Sequence, residues 1–202
     1  MTIPRQRRNW RPGAYFHVVM RGNNRANIYN DSQDKYHLMR CIEDAHTRYP
    51  FTIVAFCIMS NHFHILMKSE EDLSKIMKLI NRRYSDYYSK RYRHVGRIYQ
   101  RRYYSKLVSN PAALLIVSRY IHRNPIETRI PMVDDLKDYP YSSFPLYSNP
   151  YSEPQSYIDI SLLPLCLPVT FGKTTAGYSS YCLWKFGKEE NEEMSEWMME
   201  MQ

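Results

Sequence analysis

From Thr52 to Met59 the chain is apolar and rich in β-branched residues, and from His62 to Lys68 it is largely apolar again, with only Ser60 and Asn61 between the two runs. Two turn-forming residues can close a tight hairpin and leave no room for a crossover helix. The runs therefore read as antiparallel neighbours in a sheet, and the rest of the chain must be arranged around that pair. In the second run Phe63, Ile65 and Met67 point to one face and His62, His64 and Leu66 to the other, because a strand alternates faces with period two.

The flanking periodicities supply the remaining elements. Tyr15 to Arg21 alternates Phe16, Val18 and Met20 with His17, Val19 and Arg21, and Gly22, Asn23 and Asn24 end that strand as a turn. Asp31 or Ser32 can cap a helix in which Leu38, Ile42, Ala45 and Tyr49 recur at helical spacing before Pro50 stops it. Ser69 with Asp72 reads as a capping box for a long helix lined by Leu73, Ile76, Met77, Ile80, Tyr84, Tyr87 and Tyr88. A fourth strand spans about Tyr103 to Ser109, and Asn110 and Pro111 open a helix that runs to about His122, ahead of Pro125. This order implies an α+β fold of the ferredoxin-like, split βαβ type: an antiparallel sheet with helices on one face and the other face free for a site. The expected division is a basic arm over 1–12, one domain over 13–145, and a C-terminal extension over 146–202. Prolines break the pattern in that extension, a last helix falls around Tyr178 to Phe186, and an acidic tail follows.

Charge says what such a fold meets. The 202 residues carry a formal net charge of +8, and 19 of them are tyrosine. The stretch from Arg82 to Lys106 holds nine cations against a single acid, Asp86, so its balance equals that of the whole chain. A polyanion is the expected partner, nucleic acid before membrane, since neither an apolar span nor a basic amphipathic anchor is present. The expected contact path is Arg21, Arg25, Arg82, Arg83, Arg93, Arg97, Arg101, Arg102 and Lys106. Interleaved tyrosines, among them Tyr92, Tyr99, Tyr103 and Tyr104, could hold unstacked bases, whereas Tyr84, Tyr87 and Tyr88 suit packing. The four cysteines form no CxxC pair, so free thiols and a cytoplasmic location are expected.

Two groups could carry chemistry. His62 and His64 project side by side from the sheet, where neutral imidazoles can be cis ligands of one divalent metal; a pair of half-exposed strand histidines is the plainer alternative. Tyr120 and Asn124 stand four residues apart at the end of the last core helix and share a face, which presents a phenol and an amide together; a core tyrosine and a helix-ending Asn is the plainer alternative there.

Five ordered pieces are recognisable: Pro12-Gly13-Ala14-Tyr15-Phe16-His17-Val18 leading to Arg21-Gly22-Asn23-Asn24-Arg25; Met59-Ser60-Asn61-His62-Phe63-His64-Ile65-Leu66; Gly96-Arg97-Ile98-Tyr99-Gln100-Arg101-Arg102-Tyr103; Arg119 to Pro125; and Tyr139 to Ser143. With them the chain, from Pro12 to about Phe144, resembles the REP-associated tyrosine transposases, cellular relatives of the single-tyrosine transposases that carry a His-hydrophobic-His (HUH) motif. Arg101 is a departure, standing where that family usually has Gly. The resemblance implies His62 and His64 as metal ligands, Asn124 as the third ligand or a group that orients the metal, Tyr120 as the nucleophile, and Mg²⁺ or Mn²⁺ as the ion. It also implies cleavage of single-stranded or hairpin-forming DNA through a 5′-phosphotyrosine, a free 3′-hydroxyl, and rejoining to another strand without ATP, by a monomer or homodimer. No small-molecule substrate and no membrane is expected. Two alternatives remain at this point. One is a non-catalytic nucleic-acid-binding module of RRM-like fold, although the RRM strand signature is absent. The other is a metal-dependent hydrolase in which Tyr120 is structural.

Overall fold

The computed structural model describes residues 10–185 of the chain. The basic start at Arg5, Arg7 and Arg8, the acidic tail and the end of the helix expected to reach Phe186 lie outside the described residues. Four strands, β1 (Tyr15–Arg21), β2 (Thr52–Ile58), β3 (His62–Lys68) and β4 (Tyr104–Val108), form one sheet in the order β2-β3-β1-β4, and every adjacent pair is antiparallel. Met59 N–H donates to the His62 carbonyl at 2.8 Å and closes the β2–β3 hairpin at Ser60 and Asn61. β1 and β2 run parallel with β3 between them, the split βαβ arrangement that the element order implies.

The long crossover helices α1 (Ser32–Arg48) and α2 (Leu73–Tyr92) bury their apolar stripes on one face of the sheet, against Phe16, Val18, Met20, Phe56, Ile58, Phe63, Ile65 and Met67. Removing each of these large side chains from water contributes about 1.5–3 kcal/mol, so this layer alone is enough to fix the strand register. Asp31 caps α1 by accepting from Asp34 N–H at 3.0 Å. The capping box expected at Ser69 does not form. Asp72 is itself the N-cap and accepts from Ser74 N–H at 2.7 Å, while the Ser69 hydroxyl donates to the Pro50 carbonyl and accepts from Glu71 N–H.

The second face of the sheet is not left free. Helix α3 (Pro111–Arg123) crosses it and packs Leu114, Val117 and Ile121 with Val54, Ala55, Cys57 and Leu66 of β2 and β3. Its own sequence explains the extra layer: the N-cap Asn110 accepts from Ala113 N–H at 2.8 Å, Pro111 starts the helix, and the apolar stripe needs a partner. The segments beyond 139 join the same cluster. Tyr139, α4 (Phe144–Ser148), α5 (Leu162–Cys166) and α6 (Thr175–Leu183) contribute Phe144, Tyr147, Leu163, Tyr178 and Cys182, so residues on both sides of position 145 share one core. The last helix begins at Thr175, three residues earlier than expected, because Thr174 caps it through Gly177 N–H.

Candidate active site

β3 and β1 place three imidazoles on the face that α3 crosses. His62 and His64 share a side of β3, and His17 lies on β1, whose pairing sets Arg21 opposite His62. The ring centroids of His62 and His64 are 4.8 Å apart, and those of His64 and Tyr120 are 5.2 Å apart. Tyr120 comes from the sheet-facing side of α3 and also meets His17 edge-on at 6.2 Å. The structure therefore brings His62, His64 and Tyr120 together, and adds His17 to them.

The hydrogen bonds around these rings select their tautomers. Asn61 uses its Nδ2 to donate to the Arg25 carbonyl at 3.0 Å, so its Oδ1 is the end that meets His62 Nδ1 at 2.6 Å. His62 then carries its proton on Nδ1 and turns the Nε2 lone pair toward the site. His64 Nδ1 and His17 Nε2 lie 2.9 Å apart and share one ring proton. His64 Nε2 is buried without a hydrogen-bond partner, an unusual state for a polar atom inside a protein. Burial lowers all three imidazoles: His62 to about 4, helped by the Arg21 charge; His17 to about 3, helped by Lys106; and His64 well below its ordinary value. All three are neutral at pH 7, which is the form that binds metal.

Asn124 sits at the C-cap of α3 and donates from Nδ2 to the Tyr120 carbonyl at 2.8 Å. Its amide also lies close enough to His62 and to the Tyr120 phenol to act on both, raising the pKa of the first and lowering that of the second. Burial raises the Tyr120 pKa, while Asn124 and the Arg21 charge pull it down. The donor set of two neutral imidazoles and an amide, with one imidazole nitrogen orphaned, suits a single divalent ion with open positions. Among the described residues no group of three or more His, Cys, Asp or Glu side chains could hold a metal ion, so an ion here would need the Asn124 amide beside the two imidazoles.

The expected cation path divides in two. Arg21, Arg25, Arg101 and Arg102 line one small cavity with Val19, Gln100 and Tyr104, and Arg97 lies on the adjoining groove. Lys106 stands opposite His17 on β4. By contrast, Arg82 and Arg83 lie on α2, across the sheet from the histidines; Arg82 faces Asp86 at 3.9 Å and Arg83 pairs with Asp44. Arg93 ends α2 with left-handed backbone, φ 49°, and lines neither the cavity nor the groove. Arg91, in the same basic run, is held by Asp31 and the buried Asp34. Tyr99 and Tyr103 are buried in the first core and offer no stacking surface, whereas Tyr104 is half-buried at the cavity. Asn61 and the left-handed turn that carries Arg25 were not visible as site features in the sequence; Asn61 reads there only as a hairpin residue.

The model of the family described as "Transposase IS200 like" matches residues 11–124, more than half of the chain. The chain belongs to the IS200-like transposase family. A Haemophilus influenzae protein named as a REP-associated tyrosine transposase is 32% identical over 114 residues, covering 48% of this chain and 60% of that protein's own length. In structure, this transposase-family chain is similar to a REP-associated tyrosine transposase solved bound to a REP hairpin, with a TM-score of 0.63 at 19% identity, over 79% of this chain and 96% of the other. That likeness bears out the α+β antiparallel fold. Among the described residues of this family member, no helix is long and apolar enough to cross a membrane.

Proposed function

We propose that the chain cleaves and rejoins single-stranded, hairpin-forming DNA, with Tyr120 as the nucleophile. The observation that carries this reading is the Tyr120 phenol stacked edge-on against His64, whose buried Nε2 has no partner in the protein. The phenol oxygen attacks the scissile phosphorus, the bond to the 3′ oxygen breaks, and a 5′-phosphotyrosine and a free 3′-hydroxyl result. The phenol gives up one proton and the leaving oxygen takes one, so the exchange is balanced and runs in reverse with another strand's hydroxyl. Arg21 and Asn124 favour the phenolate that burial opposes. His62, His64 and Asn124 would hold Mg²⁺ or Mn²⁺, which when bound neutralises charge on the phosphate. Asn61 and His17 orient the two imidazoles. Arg21, Arg25, Arg97, Arg101, Arg102 and Lys106 bind the strand, and the REP hairpin bound to the structural relative supports a hairpin substrate.

The test is a denaturing gel of the protein with hairpin-bearing single-stranded DNA and Mn²⁺. A covalent adduct that is lost in Tyr120→Phe is expected. Cleaved DNA without an adduct would point to a hydrolase, and binding alone to a non-catalytic module; either overturns the assignment of Tyr120.

A further inference from the structure

The turn after β1 has a backbone that this sequence does not adopt without cost. Asn24 and Arg25 both lie in the left-handed region, at φ 50° and 58°, where side-chain-bearing residues are uncommon. Gly22 at its start admits no side chain, since a Cβ there would come within 2.3 Å of the Ala26 carbonyl oxygen. The turn is nevertheless firmly held: Gly22 N–H donates to the Asn61 carbonyl at 2.8 Å, Asn23 N–H to Ile98 at 2.8 Å, and Gln100 N–H to Arg21 at 3.1 Å. The first of these bonds ties the turn to the β2–β3 hairpin and the other two tie Asn23 and Arg21 to the 98–102 segment, and the two walls enclose a cavity of about 100 Å³ lined by Arg21, Arg25, Gln100, Arg101, Arg102 and Tyr104. Ligand pockets for whole small molecules begin at roughly 300 Å³, so this one has room for a small anion only. No carboxylate among the described residues pairs with any of its four guanidinium groups. Like charges gathered without a counter-ion repel one another, and a rigid, strained frame that holds them so is built for an anion.

We propose that this cavity is a phosphate subsite: it takes one backbone phosphodiester of the single strand, next to the scissile one, and sets the register at which the strand meets Tyr120. The inference rests on the reading of the chain as a DNA-cleaving enzyme and adds to it a discrete, single-phosphate contact. Arg21 links the cavity to the histidines and Tyr120. It lines the cavity, faces His62 across the β1–β3 pair, and its charge is felt by His62, His64 and Tyr120 alike. An anion in the cavity is therefore a neighbour of whatever occupies the site. Asn61 joins the two places, bonding His62 with one end of its amide and the Arg25 carbonyl with the other.

The test is a scan of neutral methylphosphonate linkages along a hairpin-bearing oligonucleotide, with binding measured in EDTA and in the Tyr120→Phe background so that neither metal nor covalent chemistry enters. Replacing one linkage is expected to weaken binding on the order of tenfold, the worth of one charge-assisted contact. In Arg25→Gln and in Arg101→Gln the same replacement is expected to cost little, because the contact is already gone. Both residues are solvent-exposed, so the substitutions leave the core intact, and matched thermal melts verify this. Uniform small losses at every linkage, unchanged by either substitution, would mean diffuse attraction and overturn the subsite while leaving the cleavage reading standing. No binding of DNA at all would overturn both.

Discussion

At the scale of single residues, the arrangement turns on which nitrogen carries which proton. His64 can offer its Nε2 lone pair only if its Nδ1–H donates to His17, so His17 acts as a positioning residue for a ligand it does not itself replace. His17→Phe keeps the buried volume and removes that acceptor. Mn²⁺ affinity, read by isothermal titration on the protein without DNA, is expected to fall roughly 10- to 100-fold, the usual cost of losing an outer-shell partner. An unchanged affinity would mean that His64 is oriented by packing alone. Ala at His62 or at His64 should abolish saturable Mn²⁺ binding in the same measurement. Tyr120→Phe should leave single-strand affinity within a few-fold, since it deletes one hydroxyl and no cation. The two β3 histidines were legible because period two forces i and i+2 onto one side. His17 was legible as a neighbour on the same face, but its bond to His64 depends on strand order and pairing register, which the local sequence does not state.

At the scale of elements, α3 is the piece that local reasoning left unplaced. Its N-cap, Pro111 and the four-residue spacing of Tyr120 and Asn124 are local facts, and they are as expected. That it lies across the second face of the sheet depends on long-range packing; the one local sign of it is the unbroken apolar run of β2, which buries Val54, Ala55 and Cys57 on that face as well as Phe56 and Ile58 on the other. The same long-range packing buries His122, which shares hydrogen bonds with the Ser143 hydroxyl at 2.7 Å and the Tyr178 hydroxyl at 3.0 Å. Burial holds its pKa at about 3, whereas the unfolded chain takes up a proton near the ordinary 6.5. A group depressed in the folded state contributes stability that is complete above pH 6.5 and is lost as pH falls toward 3. Thermal melts between pH 7 and 4 should therefore show falling stability, with His122 alone contributing a slope of up to about 1.4 kcal/mol per pH unit. His17, held at about 3, adds in the same direction. A melting temperature independent of pH across that window would contradict the burial of these rings.

At the scale of the whole molecule, net charge is a poor guide to where DNA binds unless the pairing of each cation is known. The Arg82–Lys106 run carries the chain's whole excess, yet Arg82, Arg83 and Arg91 have acidic partners, while Arg101 and Arg102, which pair with no carboxylate among the described residues, join Arg21 and Arg25 at the end of β1. Each cation that replaces a condensed counter-ion contributes roughly 0.7 to the slope of log affinity against log salt for a single strand. Replacing Arg101 and Arg102 with Ala should flatten that slope by roughly one to two units, while replacing Arg82 and Arg83 should leave it almost unchanged. The reverse result would put the strand on the α2 surface.

The helix that carries Tyr120 is gripped from behind. Arg119 donates to the carbonyls of Tyr181 and Trp184, and Arg123 to that of Cys182, so the residues flanking the nucleophile are tied to the far end of the described chain. The family match ends at residue 124, but the packed core does not. What is inherited as a recognisable block and what folds as a block have different borders here. A gene fragment cut at the inherited border would keep every residue of the proposed chemistry and lose the scaffold that aims its phenol.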